Sequence, residues 1–373
     1  MKIKIKLMLV MVLLSGPAAL LSQSDYPTLE IGQSAPDFSL PGIDGKTYTL
    51  DNFKSDILVI IFTCNHCPTA QTYEERIIKL VDQYSYKGVD FVAISPNDPQ
   101  SVRLDELGYT DLGDELEDMK IRAEYKGFNF PYLYDGDTQE TSKKYGPVAT
   151  PHVFIFDKNR KLQYAGRVDD SEGGITPETK FDTRDAIEVL LAGKTPETQI
   201  TKTFGCSIKW SDKRESVRQY YEKIYNEAAN LESIDTNGIK QLIKNDSENL
   251  RLINVWATWC GPCVIEFPDL VKINFMYRHR SFELITISAD NPNKYDEVLK
   301  FLQKNHASAK NYLFNEADKY ALIEAINPKW QGAIPYTMLI KPGGELVYVA
   351  EDEIDPLKLK REIVKVLGRY KDW

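Results

Sequence analysis

Residues 252–263 read LINVWATWCGPC, an apolar run that leads into a Cys-x-x-Cys pair. Such a run predicts a buried strand. Residues 267–275 then carry Leu270, Val271 and Ile273 at helical spacing, so a helix is expected after the strand. The sequence therefore places Cys260 and Cys263 at the turn from a strand into a helix.

The same arrangement occurs a second time, nearer the N-terminus. Residues 57–68 read ILVIIFTCNHCP, and a helical pattern follows over residues 73–84. Each half continues with a second strand and with a proline ahead of a later strand. In the first half, the second strand covers 89–95, and Thr150-Pro151 precedes a strand over 152–157. In the other half, the second strand covers 282–288, and Ile334-Pro335 precedes a strand over 336–341. This repeat predicts two α/β domains, each with a sheet of mixed strand directions flanked by helices.

The length of 373 residues fits two domains, since one domain takes about 100 to 200 residues. We predict a first domain over residues 27–195 and a second over 234–373. Between them, residues 196–233 are polar and predict a connector that contains one helix, over 211–231.

Residues 1–22 are typical of an export signal. Lys2, Lys4 and Lys6 precede an apolar stretch over 7–14, and small or helix-breaking residues at 16–19 precede a predicted cleavage near Ser22. The alternative is an uncleaved membrane anchor, but the broken apolar stretch is shorter than the about 20 residues that a span needs. We therefore expect an exported, periplasmic protein with no stable membrane span, in a compartment where disulfides persist.

The charge and the cysteine content exclude several classes of protein. With 46 Lys and Arg against 55 Asp and Glu, the net charge is −9, and no basic cluster is present to bind nucleic acid. Five cysteines are too few for a disulfide scaffold. The long separation of the two pairs disfavours zinc, and Pro68 and Val264 stand where c-type haem attachment needs histidine. We predict no metal and no cofactor.

The position of each pair indicates thiol chemistry. A helix N-terminus carries partial positive charge, which lowers the pKa of a cysteine thiol from about 8.5. We therefore expect the first cysteine, Cys64 or Cys260, to be the exposed nucleophile. The second, Cys67 or Cys263, is expected one turn inside the helix, where it resolves the mixed disulfide. Protein disulfides or dithiols and an upstream thiol-disulfide electron donor are the expected partners.

Residues 252–268 closely resemble the active-site segment of the thioredoxin superfamily, in particular that of exported TlpA-like thiol-disulfide oxidoreductases. The first half, from IGQSAPDFSLPGIDGKTYTL at Ile31 to Pro151, resembles the AhpC/TSA-type redoxin branch. The resemblance implies two thioredoxin folds, with Pro151 and Pro335 as cis-prolines that lie across from the cysteine pairs and help to hold a substrate strand. A cis X-Pro bond is uncommon and marks a fixed turn; the alternative for each proline is an ordinary loop.

This chain departs from the pattern of thioredoxin itself, which carries a buried Asp six residues before its first cysteine. Asn254 and Leu58 stand there instead. TlpA-like proteins resemble the second half in having Glu three residues after the second cysteine, which makes Glu266 the expected acid-base residue. The alternative is a solvated Glu in the first helical turn. In the first half that position is Ala70, and Glu74 is expected to be exposed.

His66 precedes the second cysteine of the first pair, as in oxidising disulfide catalysts such as DsbA. A histidinium beside Cys64 would stabilise its thiolate, so we predict the higher reduction potential for the first pair. Alternatively, His66 is a plain solvent-facing residue. The Pro-x-x-x-Thr-x-x-Cys pattern of peroxiredoxins is missing before Cys64, which leaves peroxidase activity as the second enzymatic hypothesis. A redox-inert first domain that recruits a partner protein is the non-enzymatic alternative.

Cys206, in the stretch TFGCSIKW over residues 203–210, is the odd cysteine. With both pairs closing locally, it is a buried inert thiol, a site of intermolecular pairing, or a relay between the domains.

Overall fold

Two β-sheets, one in each half of the chain, position the four paired cysteines. The computed structural model describes residues 26–172, 174–316 and 318–368, so the predicted export signal over residues 1–22 lies outside the described residues. Within those ranges, none of the helices combines the length and the apolar character that crossing a bilayer requires.

The first half opens with a small antiparallel hairpin, β1 (Ser39–Pro41) and β2 (Thr47–Thr49). Its main sheet contains β3 (Ile57–Phe62), β4 (Val89–Ser95), β5 (Tyr132–Tyr134), β6 (His152–Phe156) and β7 (Leu162–Gly166). The accompanying helices are α1 (Pro68–Tyr84), α2 (Leu116–Lys126), α3 (Glu140–Tyr145) and α4 (Asp182–Leu191).

The strand order of this sheet is β5-β4-β3-β6-β7. The central strand β3 runs parallel to β4 and antiparallel to β6. All six of its residues are buried, because apolar clusters cover both faces of the sheet. A strand covered on both faces reads as a continuous apolar run. The chain then enters α1 at Pro68, a residue that suits the first helical position because its missing N–H has no partner there in any case.

The second half repeats this plan. Its strands are β8 (Glu232–Ile234), β9 (Leu250–Trp256), β10 (Phe282–Ser288), β11 (Lys310–Phe314), β12 (Tyr336–Ile340) and β13 (Leu346–Ala350). Its helices are α5 (Arg214–Tyr225), α6 (Thr236–Lys244), α7 (Gly261–Tyr277), α8 (Tyr295–Lys304), α9 (Lys319–Ile326) and α10 (Pro356–Leu367). The strand order is β13-β12-β9-β10-β11-β8, with β9 between a parallel and an antiparallel neighbour.

Two α/β units with mixed sheets confirm the predicted fold class. The strands over 89–95 and 282–288 have the predicted bounds. Other bounds differ from expectation: α1 and α7 begin earlier than predicted, and β6 and β12 each end one residue earlier. The connector helix α5 is shorter than predicted, and β8 begins at Glu232, two residues ahead of the predicted start of the second domain, where it pairs with β11.

The connector is shared between the two units. Residue Gln199 accepts from Ala165 in β7, and Cys206 forms an antiparallel bridge with Thr150. Further along, Ile224 in α5 belongs to the apolar core of the second half. The stretch before α5 therefore packs on the first sheet, whereas α5 itself packs on the second unit.

A loop of the first half also contacts the second half. Leu104 is buried in the second apolar core. The Tyr277 hydroxyl donates to the carbonyl of Thr110 at 2.7 Å, and the Arg361 Nε donates to Asp111 at 3.1 Å. The same loop continues to Asp114, which lies at the first cysteine pair.

Candidate active site

The register of the sheets shows how the two cysteine pairs correspond. Phe62 in β3 lies opposite His152, and Val255 in β9 lies opposite Tyr336. His152 and Tyr336 each follow a proline whose peptide bond is cis, Pro151 and Pro335. Phe62 and Val255 are therefore equivalent positions.

Counted from these positions, the pairs are offset by three residues. Cys67 lies five residues after Phe62, just as Cys260 lies five residues after Val255. Cys64 corresponds to Ala257, which has no thiol. The two Cys-x-x-Cys motifs thus share one cysteine position, and the second thiol lies before it in the first half and after it in the second.

The helix starts agree with this correspondence. Cys67 is the N-cap of α1, and its sulfur accepts from the backbone N–H of Ala70 at 3.4 Å. Cys260 is the N-cap of α7, and its sulfur accepts from the N–H of Cys263 at 3.2 Å. The expectation that Cys67 lies one turn inside its helix is wrong, because α1 begins only after Cys67.

In the second half, the pair forms a disulfide between Cys260 and Cys263. The Cys260 sulfur lies 3.5 Å from the carbonyl oxygen of Ile334, the residue before the cis-proline. Next to it, Trp259 is 67% exposed and Ile265 is 71% exposed. Cys260 itself is only 6% exposed, so the expectation of an exposed first cysteine is wrong in this half as well; the exposed feature of the site is the apolar surface beside the helix start.

Glu266 is buried in the second half, three residues after Cys263 on the same helix. Its Oε1 accepts from the Asn254 amide at 2.9 Å, and its Oε2 accepts from the Ile354 N–H at 2.8 Å. Burial raises the pKa of Glu266 to about 7, and these two hydrogen bonds only partly oppose that effect. The alternative of a solvated first-turn Glu is wrong.

In the first half, Cys64 and Cys67 are free thiols, and both are buried. The Cys64 sulfur lies 3.2 Å from the Thr150 hydroxyl. Burial, a hydrogen bond with Cys67 and the negative charge of Asp114 raise the pKa of Cys64 well above its ordinary value. The first cysteine is therefore neither exposed nor ionised, contrary to the expectation for an exposed nucleophile.

Cys67 has the opposite character. Burial disfavours its thiolate, but hydrogen bonds from Cys206 and Cys64 and the positive charge of His66 outweigh burial and hold the pKa of Cys67 well below its ordinary value. The backbone N–H of Cys206 also points at this sulfur, at 3.3 Å. The thiolate of the first half is therefore on Cys67, the position equivalent to Cys260.

His66 is held by Asp114, a residue that the sequence reasoning missed. The His66 Nδ1 lies 2.5 Å from Asp114 Oδ2, which also accepts from the Asn97 amide at 2.8 Å, and Oδ1 accepts from the N–H groups of Asn65 and His66. Burial lowers the pKa of His66, but the charge of Asp114 outweighs it, so the pKa is raised. A solvent-facing His66 is wrong, and the imidazolium supports Cys67 rather than Cys64.

Cys64, His66 and Asp114 also bring potential metal-ligand atoms within 4.8 Å of one another. Asp114, however, has both oxygens occupied by protein donors, and one of these donors is the His66 ring itself. The arrangement is that of a hydrogen-bonded ion pair beside a thiol.

Glu74 has a structural partner instead of the exposed position that we expected. It is buried and accepts from the Arg122 Nε at 2.7 Å and from its Nη2 at 2.8 Å. Removing one partner of such a buried ion pair typically costs about 3–5 kcal/mol of stability.

The position in α1 that corresponds to Glu266 is Tyr73, whose hydroxyl donates to the carbonyl of Ser171 at 2.8 Å. The position equivalent to Glu266 therefore carries no carboxyl, and the nearby Glu74 is bound to Arg122.

Comparisons with known proteins match two regions of the chain to different family models. The model of the AhpC/TSA family matches residues 31–165, and a model described as Thioredoxin-like matches residues 248–346. The thiol-disulfide oxidoreductase ResA of Bacillus cereus is 24% identical over 158 residues, which cover 41% of this chain and 82% of ResA.

Solved structures match about half of the chain. An uncharacterized conserved protein from Geobacillus kaustophilus is 38% identical, with 50% of this chain and 95% of that chain covered and a TM-score of 0.44. A putative thiol:disulfide interchange protein DsbE from Chlorobium tepidum is 22% identical, with 44% and 98% covered and a TM-score of 0.32.

The family matches and the repeated fold define the class of the protein, a thiol-disulfide oxidoreductase. The chain belongs to the thioredoxin superfamily, as an AhpC/TSA-type domain followed by a thioredoxin-like domain.

Proposed function

We propose that this protein is exported and exchanges electrons with partner proteins at two separate thiol sites, of which the second reduces protein disulfides. The observation that carries the proposal for the second site is the buried Glu266, with its pKa of about 7, three residues after a Cys260-Cys263 pair at a helix start. Support for export comes from the sequence of residues 1–22 alone.

In the proposed reaction, the Cys260 thiolate attacks a partner disulfide and releases one partner thiolate. Glu266 takes the proton of the Cys263 thiol, directly or through a water, and Cys263 then attacks the Cys260 sulfur. The second partner thiolate leaves, and the Cys260-Cys263 disulfide forms. Two electrons thus pass to the partner, and an upstream dithiol restores the reduced pair.

For the first site we propose the more oxidising potential. Stabilising the thiolate of a pair stabilises its reduced form, and the low pKa of Cys67 supports this direction. The positive charge of His66 supports the thiolate of Cys67, so the expectation of a histidinium beside a Cys64 thiolate is wrong. The correspondence of Cys67 with Cys260 does not support the peroxidase alternative. If Cys67 is taken as the cysteine of the Pro-x-x-x-Thr-x-x-Cys pattern, the Pro and Thr positions hold Ile60 and Cys64.

The test is insulin reduction by the mature chain, with Cys260→Ser and Cys67→Ser measured separately. We expect Cys260→Ser to abolish reduction and Cys67→Ser to retain most of it, because the proposed reductase site is the second. Glutathione titration of each pair, in chains that lack the other pair, is expected to give the first site the higher potential. Full insulin reduction by Cys260→Ser, or an equal or higher potential at the second site, would contradict the proposal. If the first site formed no disulfide at all, the docking-module alternative would hold instead.

A further inference from the structure

Cys206 lies directly beside the thiolate of the first site. Its backbone N–H donates to the Cys67 sulfur at 3.3 Å, and its side chain packs against the cluster of Cys64, Cys67 and Ala70. Its carbonyl accepts from the N–H of Thr150, the residue before the cis-proline, at 3.0 Å. A cysteine separated from Cys67 by 139 positions in sequence therefore reaches contact with its sulfur.

The contact belongs to a segment that is fixed on both sides of Cys206, which we call the Cys206 segment (residues 203–210). Gly205 has a φ of +143°, and a Cβ at this residue would lie 2.0 Å from the carbonyl oxygen of Thr150. Only glycine therefore allows the chain to approach so closely. On the other side, Ile208 and Trp210 are buried, and the Lys209 N–H donates to Asn97 at 2.9 Å.

The three cysteines of the first site differ in their exposure to solvent. Cys67 is 0% exposed and Cys64 is 3% exposed, whereas Cys206 is only partly buried. In the second site, Ile334 is the residue equivalent to Thr150. Within the described ranges, none of the isolated β-bridges involves Ile334 as the Cys206 bridge involves Thr150.

We infer that Cys206 is a third redox cysteine of the first site, which forms a disulfide with Cys67 and carries exchange between the buried pair and thiols or disulfides outside. The segment occupies the place beside the cis-proline where the superfamily resemblance expects a substrate strand, so Cys206 acts as a tethered substrate. The inference rests on the proposed dithiol exchange at the first site.

The first step is an internal exchange. The Cys206 thiolate attacks the Cys67 sulfur of a Cys64-Cys67 disulfide, the Cys64-Cys67 bond breaks, the Cys67-Cys206 bond forms, and Cys64 takes up the proton that Cys206 has lost. The number of electrons in the site does not change. The disulfide has moved from two buried sulfurs to one that includes the partly exposed Cys206.

An outside dithiol completes the reaction. One of its thiolates attacks the Cys206 sulfur, and Cys67 leaves as a thiolate, for which its low pKa suits it. The second outside thiol loses its proton and attacks the first outside sulfur, which is now bonded to Cys206. That bond breaks, and Cys206 leaves and takes up a proton. The outside dithiol becomes a disulfide, and the site gains its two electrons. The reverse sequence reduces an outside disulfide.

Disulfide mapping of the full mature chain tests the inference. Tryptic cleavage places Cys64 and Cys67 in peptide 55–76 and Cys206 in peptide 203–209. In Cys64→Ser oxidised with glutathione disulfide, we expect these two peptides to be linked within one molecule. The matched variant Cys67→Ser retains Cys64 and Cys206 and should give no link. Gly205→Ala, in the Cys64→Ser background, should reduce the yield because its Cβ displaces the segment.

The outcomes separate this inference from the proposed function. A wild-type chain that forms Cys64-Cys67, together with a Cys64→Ser chain whose Cys206 stays alkylatable, would overturn the role of Cys206 and leave the proposed exchange intact. A wild-type chain with no disulfide among the three cysteines would overturn both. Circular dichroism of each variant checks its fold.

A kinetic measurement gives an independent answer. If Cys206 carries the exchange, reduction of the oxidised first site by glutathione should slow by about tenfold or more in Cys206→Ser, because only buried sulfurs remain to be attacked. Both chains carry Cys260→Ser and Cys263→Ser, so that only the first site reacts. Equal rates in the two chains would overturn the inference.

Discussion

The two thiol sites share one fold and one cysteine position but differ in where the second thiol lies. Cys67 and Cys260 both cap the helix that follows the central strand. The neighbouring thiol is Cys64, in the turn before that position, or Cys263, inside the helix after it. A Cys-x-x-Cys motif therefore does not by itself show which of its cysteines is stabilised as a thiolate; the helix start shows it.

The surroundings of the two sites differ as well. The first site is covered by the Cys206 segment and contains a buried His66-Asp114 pair. The second has the exposed Trp259 beside it and the buried Glu266 behind it. A buried site supported by an imidazolium favours a stable thiolate, whereas a site with a titratable carboxyl and an exposed apolar surface beside it favours proton transfer during exchange with a large partner.

The largest expected effect concerns the identity of the thiolate. In chains without the second pair, Cys67→Ser should lose the low-pH thiolate signal of the reduced protein entirely, because Cys67 has the lowered pKa. Cys64→Ser should retain a thiolate, since the helix start and His66 remain. Ultraviolet thiolate absorbance, followed as a function of pH, measures both.

The second site provides the matched control, because its motif has the reverse order. With the first pair removed, Cys260→Ser should lose the nucleophilic thiolate and Cys263→Ser should keep it. If Cys64→Ser were the variant that lost the signal in the first site, the correspondence of Cys67 with Cys260 would be wrong.

The next effect concerns Glu266. Glu266→Gln should slow insulin reduction by about 100-fold, since the variant has no base to take a proton from Cys263. The rate of the wild type should rise as the pH passes through about 7, and the rate of the variant should not show this rise. Glu324→Gln, the same change at an exposed residue of α9, is the control and should leave the rate unchanged.

The raised pKa of Glu266 also predicts how the free energy of unfolding changes with pH. The pKa of Glu266 is raised in the folded state from 4.5 to about 7, so the folded protein binds more protons than the unfolded chain between these values. Its stability contribution is therefore present below about pH 4.5 and is lost as the pH rises towards 7. Urea unfolding at several pH values should show this loss in the wild type and not in Glu266→Gln; parallel pH profiles would contradict it.

The parts of this comparison that are local in sequence were predictable. The apolar runs of β3 and β9 and the spacing of α7 indicate their own structures. The resemblance to the thioredoxin superfamily implied the two cis bonds at Pro151 and Pro335 that the structure contains. The three-residue offset between the two cysteine pairs is also visible in the spacing between each strand and its first cysteine. One residue, Thr63, separates β3 from its first cysteine, whereas three residues separate β9 from Cys260.

The remaining features depend on contacts between distant parts of the chain. Asp114 reaches His66 from an acidic loop 48 positions away, and nothing in that loop distinguishes it from a solvated one. The burial of Glu74 depends on Arg122, which lies in another helix. The position of Cys206 beside Cys67 depends on how the connector folds back over the first sheet. The hydrophobic periodicity and the residue spacing of the sequence do not predict such long-range packing.

The smallest expected effect concerns Asp114→Asn, which sharpens the comparison of the two potentials. Without the carboxylate, the pKa of His66 should fall and the imidazole should lose its charge at neutral pH. Cys67 then loses an electrostatic support of its thiolate, so its pKa should rise and the reduced form should become less stable. We expect glutathione titration to show the first pair about tenfold easier to oxidise, the equivalent of one pKa unit.

In the second site, Asp290 accepts from the N–H of Thr258 at 2.9 Å, and the motif there contains no histidine. Asp290→Asn is therefore the matched control and should leave the reduction potential of the Cys260-Cys263 pair unchanged. A potential of the first pair that rises or stays constant in Asp114→Asn would show that the relief of Cys64 from the charge of Asp114 outweighs the loss of the imidazolium beside Cys67.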